Sequence, residues 1–460
     1  MSFVRRVANT SYGVNLLLTL LFATLPLSAP AAPRDVAQRV ATLIENNYFD
    51  VTKAQSIAKD LREAAQSGRF DALTDPRDLA AKLTAQLQPL DHHFRVGWSP
   101  PEAPTSKPNS AETAGSGPEL SSETLDRRSA YGFRRVEMLP GAIGYIDMRS
   151  FADFSFGKPD EPARKAVEAA LTLVSNADAV IIDLRENGGG SPSMVGYLVS
   201  AFTPPDANIY NEFQQREGSE SERPKESYPK PRLDVPLYVL ISGRTGSAAE
   251  STAYTLQAAK RAVIVGGVSA GAANPGGELP AGEGYSVFIS TSTPINAVTG
   301  TNWEGVGVQP DVIVKNPERA LERTEILALE AILKGNRPES IETRWTLEAL
   351  EAEASPVKGP PLTDYVGTYA GAGISVENGY LALHRGRRPP WMLVRIHGDV
   401  FCVKDEPFRR VLFERGTSDD HGEDAKVHGH THAVTRLELV RAGGVVIWFP
   451  KSQTSDAPAR

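Results

Sequence analysis

The sequence predicts a multidomain α/β protein, and three observations carry that expectation. The first is length: 460 residues exceed one ordinary core, so two or three domains are expected. The second is a central stretch, about 128–317, in which apolar strand-like runs alternate with helical patterns, as in largely parallel sheets. The third is a change of texture on either side, helical before it and short-stranded after it.

Taken in order, the chain opens with Arg5 and Arg6, an apolar run from Val14 to Leu27, and the small residues Ser28-Ala29-Pro30-Ala31-Ala32. That order is the one of a secretory signal peptide over residues 1–32, and the run is short for a bilayer span. An uncleaved anchor is the alternative. The mature chain is then expected to be exported, with no membrane span. Residues 33–99 read as a helical domain, with Val36, Val40, Leu43 and Ile44 on one face and Asp75-Pro76 as a helix start. Leu79, Leu83 and Leu87 continue that helix, and Phe94–Trp98 reads as a short strand. Residues 100–127 are rich in Pro, Ser, Thr, Glu and Gly and read as a linker.

In the core, Ile143–Met148, Ala179–Leu184, Leu237–Ile241 and Val263–Val265 read as strands. The second of these is apolar almost throughout, as expected of a strand buried on both faces. Helices are expected over Pro162–Val174, Met194–Phe202 and Ala248–Ala259. The charged, proline-bearing segment Asn208–Pro231 is expected to be an exposed loop. Two further helices near Glu318–Leu333 and Arg344–Ala354 form a connector, 318–357. Residues 358–455 are expected to be a small all-β domain, a sandwich or barrel, from strands around 365–369, 381–383, 411–413 and 445–449.

Composition excludes some functions. A formal net charge of -7, spread along the chain, gives no reason to expect a nucleic-acid partner. The single cysteine, Cys402, forbids an intramolecular disulfide; its apolar neighbours make it a buried small hydrophobe. No cysteine cluster of zinc-binding spacing exists, and the loose run His421, His428, His430 and His432 reads as a solvated loop.

Three segments can carry chemistry. Asp183-Leu184-Arg185-Glu186-Asn187-Gly188-Gly189-Gly190 places three glycines after a strand, where backbone N–H groups can face an oxyanion; a plain turn is the alternative. Ile241–Ser251 turns a strand through glycines into a helix beginning near Ser247. A serine there is either an N-cap or a nucleophile favoured by the helix dipole. Asp91-His92-His93 offers an imidazole base, or two surface histidines.

Together the stretches VIIDLRENGGG, YVLISGRTGSAAESTAYTLQAAKRAVIVGG and WEGVGVQPDVIV resemble the C-terminal-processing (tail-specific) peptidase family in order and separation. The front segment is similar to the branch that includes interphotoreceptor retinoid-binding protein modules and the tricorn core protease, and no stretch resembles a PDZ insertion. The resemblance implies a crotonase-like or ClpP-like layered core, a polypeptide or peptide substrate, and no metal or organic cofactor. It implies Ser247 as nucleophile, in a Ser-x-x-Glu context with Glu250, and Gly189 or Gly190 with Ala248 as oxyanion-hole amides. Relatives with a lysine base carry it in the turn that here reads Gly267–Ala273, where alanine stands. The base implied instead is His93, oriented by Glu304, with His92 the alternative. The resemblance leaves a second reading open, an inactive carrier of apolar ligands or peptides on the same fold. Export points to a bacterial periplasm or the extracellular space.

Overall fold

A computed structural model describes residues 32–100, 121–334, 341–416 and 433–452. The predicted signal peptide, most of the predicted linker and the histidine run 421–432 lie outside the described residues. Three helices form the front: α1 (Pro33–Asn47), α2 (Val51–Gln66) and α3 (Pro76–Leu87). Asp50 and Asp75 cap the second and third by accepting from the Lys53 and Arg77 amides, and Pro76 occupies the first helical position. β1 (Arg95–Trp98) follows. The linker ends earlier than expected, because Ser121 accepts from the Thr124 amide and caps α4 (Ser122–Arg128).

The core then builds β2 (Phe133–Leu139), β3 (Ile143–Met148), α5 (Pro162–Leu173), β4 (Ala179–Asp183) and α6 (Pro192–Ser200). After them come β5 (Asn211–Gln215), β6 (Ser219–Ser221), β7 (Leu237–Ile241), α7 (Ala248–Ala258) and β8 (Val263–Gly266). β9 (Gly276–Gly282), β10 (Tyr285–Ser290), β11 (Ser292–Asn296) and β12 (Val312–Ile313) complete it. The main sheet runs β12-β8-β7-β4-β3-β2, parallel except for the β2–β3 pair. Alternate residues serve opposite faces. Val180, Ile182, Val239 and Ile241 pack with α6 and α7, while Ala179, Ile181, Tyr238 and Leu240 pack against α8 (Ala320–Lys334). The segment read as a connector therefore covers one whole face of the sheet.

Two departures from the expectations matter for the site. The hairpin β9–β10 leaves the core to pair with β1, and Ala281, Tyr285, Val287 and Ile289 join the front's own apolar core. The segment Asn208–Pro231 is largely exposed, as expected, but it is not a plain loop. β5 and β6 pair there, β5 pairs with β11, and Asn211 and Glu222 are buried. Asn211 and Glu222 face one another rather than water, a pattern that charge content cannot reveal.

After α9 (Ile341–Ala354), eight antiparallel strands follow in sequence order. They are β13 (Gly367–Tyr369), β14 (Ala372–Glu377), β15 (Tyr380–His384), β16 (Trp391–His397), β17 (Val400–Val403), β18 (Glu406–Arg415), β19 (Val434–Arg441) and β20 (Val446–Pro450). The Ala370 amide donates to the Pro450 carbonyl, and Tyr369 bridges Lys451, so β13 meets β20 and the sheet is barrel-like. Tyr365, Phe401 and Phe413 fill its interior, and Cys402 is buried, its thiol pushed by burial up to about 11.

Candidate active site

The carboxyl ends of β4 and β7 lie side by side, and their loops are tied together. Thr245 Oγ1 donates to the Leu184 carbonyl at 2.7 Å, Ser242 Oγ to the Arg185 carbonyl at 2.6 Å, and the Gly246 amide to the Asn187 carbonyl at 3.0 Å. These bonds hold the glycine run against the Ser247 turn. A Cβ at Gly189 would stand 2.7 Å from Ser247 Cβ, and one at Gly190 would stand 2.1 Å from the Phe151 carbonyl oxygen. Both glycines have positive φ, 118° and 139°, so only glycine permits this approach.

Ser247 itself has φ 52° and ψ −121°, a positive-φ backbone conformation that L residues adopt at a cost of about 1–3 kcal/mol. It is exposed between buried neighbours Gly246 and Ala248. The Ala248 amide, at the first position of α7, and the Gly190 amide donate to no protein acceptor among the described residues. The Gly189 amide is already committed to Asn187 Oδ1 at 2.9 Å. Of the two glycines expected from sequence, Gly190 is thus the one with a free N–H.

Glu250, fully buried, fixes the turn. Its Oε2 accepts from the Ser247 amide (2.9 Å) and the Ala272 amide (2.9 Å), and its Oε1 from the Gly271 amide (2.6 Å) and Ser269 Oγ (2.5 Å). The turn Gly271–Asn274 is therefore a row of amides bound to carboxylates. The next two amides, Ala273 and Asn274, donate to Glu304 Oε2 at 2.8 and 3.0 Å.

The other oxygen of Glu304 faces the front. It lies 3.3 Å from His93 Nδ1, and Asp91 Oδ1 lies 3.1 Å from the same nitrogen while also accepting the His93 amide at 2.9 Å. The two carboxylates raise the imidazole to about 9, Asp91 contributing more than Glu304 and partial burial opposing both. Burial pushes the Asp91 carboxyl up, yet the His93 side-chain and backbone hydrogen bonds outweigh it and hold the group at about 2. With Nδ1 fixed as the donor, Nε2 is the nitrogen left for chemistry. His92 is exposed, lies against Gly305, and makes no such contacts. Asp91 is the residue the sequence reading passed over, although a carboxylate two residues before a histidine is an available signal.

Among the described residues no hydrogen bond joins Ser247 Oγ to His93. The two are coupled through the turn: four consecutive amides, 271–274, divide between the carboxylate that holds Ser247 and the one that holds His93. Asp91, His93 and Glu304 also bring three ligand atoms within 4.8 Å, but a metal ion there would compete with the proton that Nδ1 shares with Asp91 Oδ1.

Beside Ser247 lies a cleft of about 220 Å³ whose lining includes Gly190, Ala248, Phe213, Glu222 and Trp303. This combination can do acyl chemistry: an exposed hydroxyl on a strained turn, two free amides beside it, and an imidazole oriented by carboxylates.

The sequence model of peptidase family S41 matches residues 142–314, and that of the N-terminal domain of the S41 peptidase in eukaryotic IRBP matches residues 27–130. A carboxy-terminal-processing protease of Bartonella bacilliformis is 29% identical over 195 residues, 40% of this chain and 40% of that protein's length. Among solved structures, the photosystem II D1 C-terminal processing protease is 16% identical, covering 63% of this chain and 94% of that one, with a TM-score of 0.42. A lipoprotein from Streptococcus agalactiae is 14% identical, covering 64% and 96%, with a TM-score of 0.41.

Proposed function

We propose that the chain, matched by the S41 peptidase model over residues 142–314 and by the S41 N-terminal-domain model over residues 27–130, is an exported serine peptidase of that family that cleaves polypeptides by acyl transfer. The observation that carries this reading is the Ser247 turn, an exposed serine in a strained conformation with the unpaired Gly190 and Ala248 amides beside it. Ser247 Oγ attacks the scissile carbonyl, His93 takes its proton through Nε2, and the two amides hold the oxyanion. The His93 imidazolium that forms is stabilised by Asp91 and Glu304, and it then protonates the leaving amine. Water repeats the sequence to release the acyl group. Under the same proposal the core is layered in the crotonase or ClpP manner, which the helices on both faces of the sheet support. Export rests on the charged, apolar and small-residue order of residues 1–32, and a periplasmic or extracellular setting follows from it. Among the described residues no helix is long and apolar enough to cross a membrane.

The test is covalent labelling with a fluorophosphonate, followed by peptide mapping. Modification at Ser247 that His93→Ala suppresses supports the reading. A protein that stays unlabelled at Ser247 across the pH range 6–10 contradicts it and favours the ligand-carrier alternative.

A further inference from the structure

The cleft beside Ser247 is lined by a carboxyl group that the reaction does not use. Glu222 is 4% exposed, and its carboxylate is met only by neutral groups. Ser251 Oγ stands 2.7 and 2.6 Å from its two oxygens, and Asn211 Nδ2 donates to Oε2 at 2.8 Å. No ion pair forms at Glu222 among the described residues. The adjacent Arg223 turns away, donating to the Pro205 and Ala207 carbonyls and covering the Tyr210 ring. Burial without a counter-charge pushes the Glu222 carboxyl up to about 7.

A buried, unpaired carboxyl costs stability, and such a group persists where a ligand supplies the missing charge or where its hydrogen bonds suffice. Its place separates these cases. Ser251 follows Ser247 by one turn of α7, and the Ser251 amide donates to the Ser247 carbonyl, so both hydroxyls lie on one helix face. Ser247, Ser251 and Glu222 line the same cleft, together with apolar walls from Pro192, Phe213, Pro275 and Trp303. Exposed Glu220 adds a second acidic group to the lining, and the lining contains no lysine, arginine or histidine. At about 220 Å³ the space is below the range of roughly 300–1,000 Å³ typical of sites for whole small molecules, and suits a single side chain.

We infer that this cleft is the specificity pocket for the residue whose carbonyl Ser247 attacks, and that Glu222 selects a long cationic side chain, lysine or arginine, there. The apolar walls hold the methylene stem and Glu222 receives the charged head, as amphipathic side chains require. The inference rests on the serine-peptidase reading.

The experiment compares otherwise identical peptides carrying Lys, Arg, norleucine or Glu before the scissile bond, with fluorophosphonate labelling of Ser247 read in parallel. Norleucine keeps the lysine stem and removes its ammonium. The wild type should cleave the Lys and Arg peptides about tenfold or more faster in kcat/KM than the norleucine peptide, with the Glu peptide slowest. Glu222→Gln, which keeps the size and the hydrogen-bonding shape, should bring the Lys-to-norleucine ratio close to one while labelling persists. Equal cleavage of Lys and norleucine peptides by a wild type that labels at Ser247 overturns the inference alone, and that result needs no variant to fold. An unchanged ratio in a labelled Glu222→Gln does the same. Absent labelling overturns the peptidase reading and the pocket assignment with it.

Discussion

The turn that carries Ser247 and the turn that carries His93 are built on opposite principles. Ser247 is placed by backbone: a positive φ, a helix start behind it, two glycines pressed against it, and an amide tied to Glu250. His93 is placed by charge, its Nδ1 held between Asp91 and Glu304. The first arrangement gives a position fixed by chain geometry and hydrogen bonds. The second makes the base's strength a function of its neighbours. One row of amides, 271–274, supports both carboxylates and keeps the two halves in register.

Removing the charged half tests this contrast most severely. His93→Gln should lower kcat/KM by about 10³-fold or more, whereas His92→Gln should change it less than about threefold. Comparable losses in both would remove the distinction between the two histidines.

The pH profile sharpens the same contrast. A base with a pKa of about 9 is mostly protonated at neutral pH, so kcat/KM should rise through about pH 9. Glu304→Gln removes one raising charge and should move that limb downward in pH; an unmoved limb would show that Glu304 does not act on His93. Stability follows the same groups. The His93 pKa is raised above its ordinary 6.5, so its contribution is complete below pH 6.5 and is lost as pH rises through about 9. The Asp91 pKa is lowered from 3.8, so its contribution is present above that value and is lost as pH falls through about 2. Thermal melts of the wild type against Asp91→Asn should differ near neutral pH and converge as pH falls through about 2.

The smallest effect belongs to the backbone half. Glu250→Gln exchanges one acceptor oxygen for a donor facing an amide, which should cost about 1–3 kcal/mol of stability and leave the pH limb in place. A shifted limb would mean that the 271–274 turn transmits charge as well as position.

Much of this could be read from the sequence because local chemistry announces it. The β3 and β7 boundaries follow from apolar runs bounded by polar residues, and Asp75-Pro76 starts α3 as capping chemistry requires. Ser247 and the Asp91-His92-His93 segment stand out locally, each beside a strand or turn with unusual neighbours, whereas Glu304 and the choice of His93 are what the family resemblance implied. What could not be read depends on distant partners. The 208–231 segment becomes strand only because β11 pairs with β5, some eighty residues later, and its acidic content hides a buried carboxyl. The helical front borrows the β9–β10 hairpin from beyond Ser247, a long-range exchange that no local pattern announces. Glu250 was visible as part of a motif, but its four donors come mostly from a turn twenty residues away.

The most direct test of the central claim is incubation of the mature protein with a pool of unfolded peptides, read by mass spectrometry beside Ser247→Ala and His93→Ala. New termini produced by the wild type and abolished by both substitutions are the predicted result. Cleavage that survives Ser247→Ala would contradict the account, because the strained turn would then hold no nucleophile.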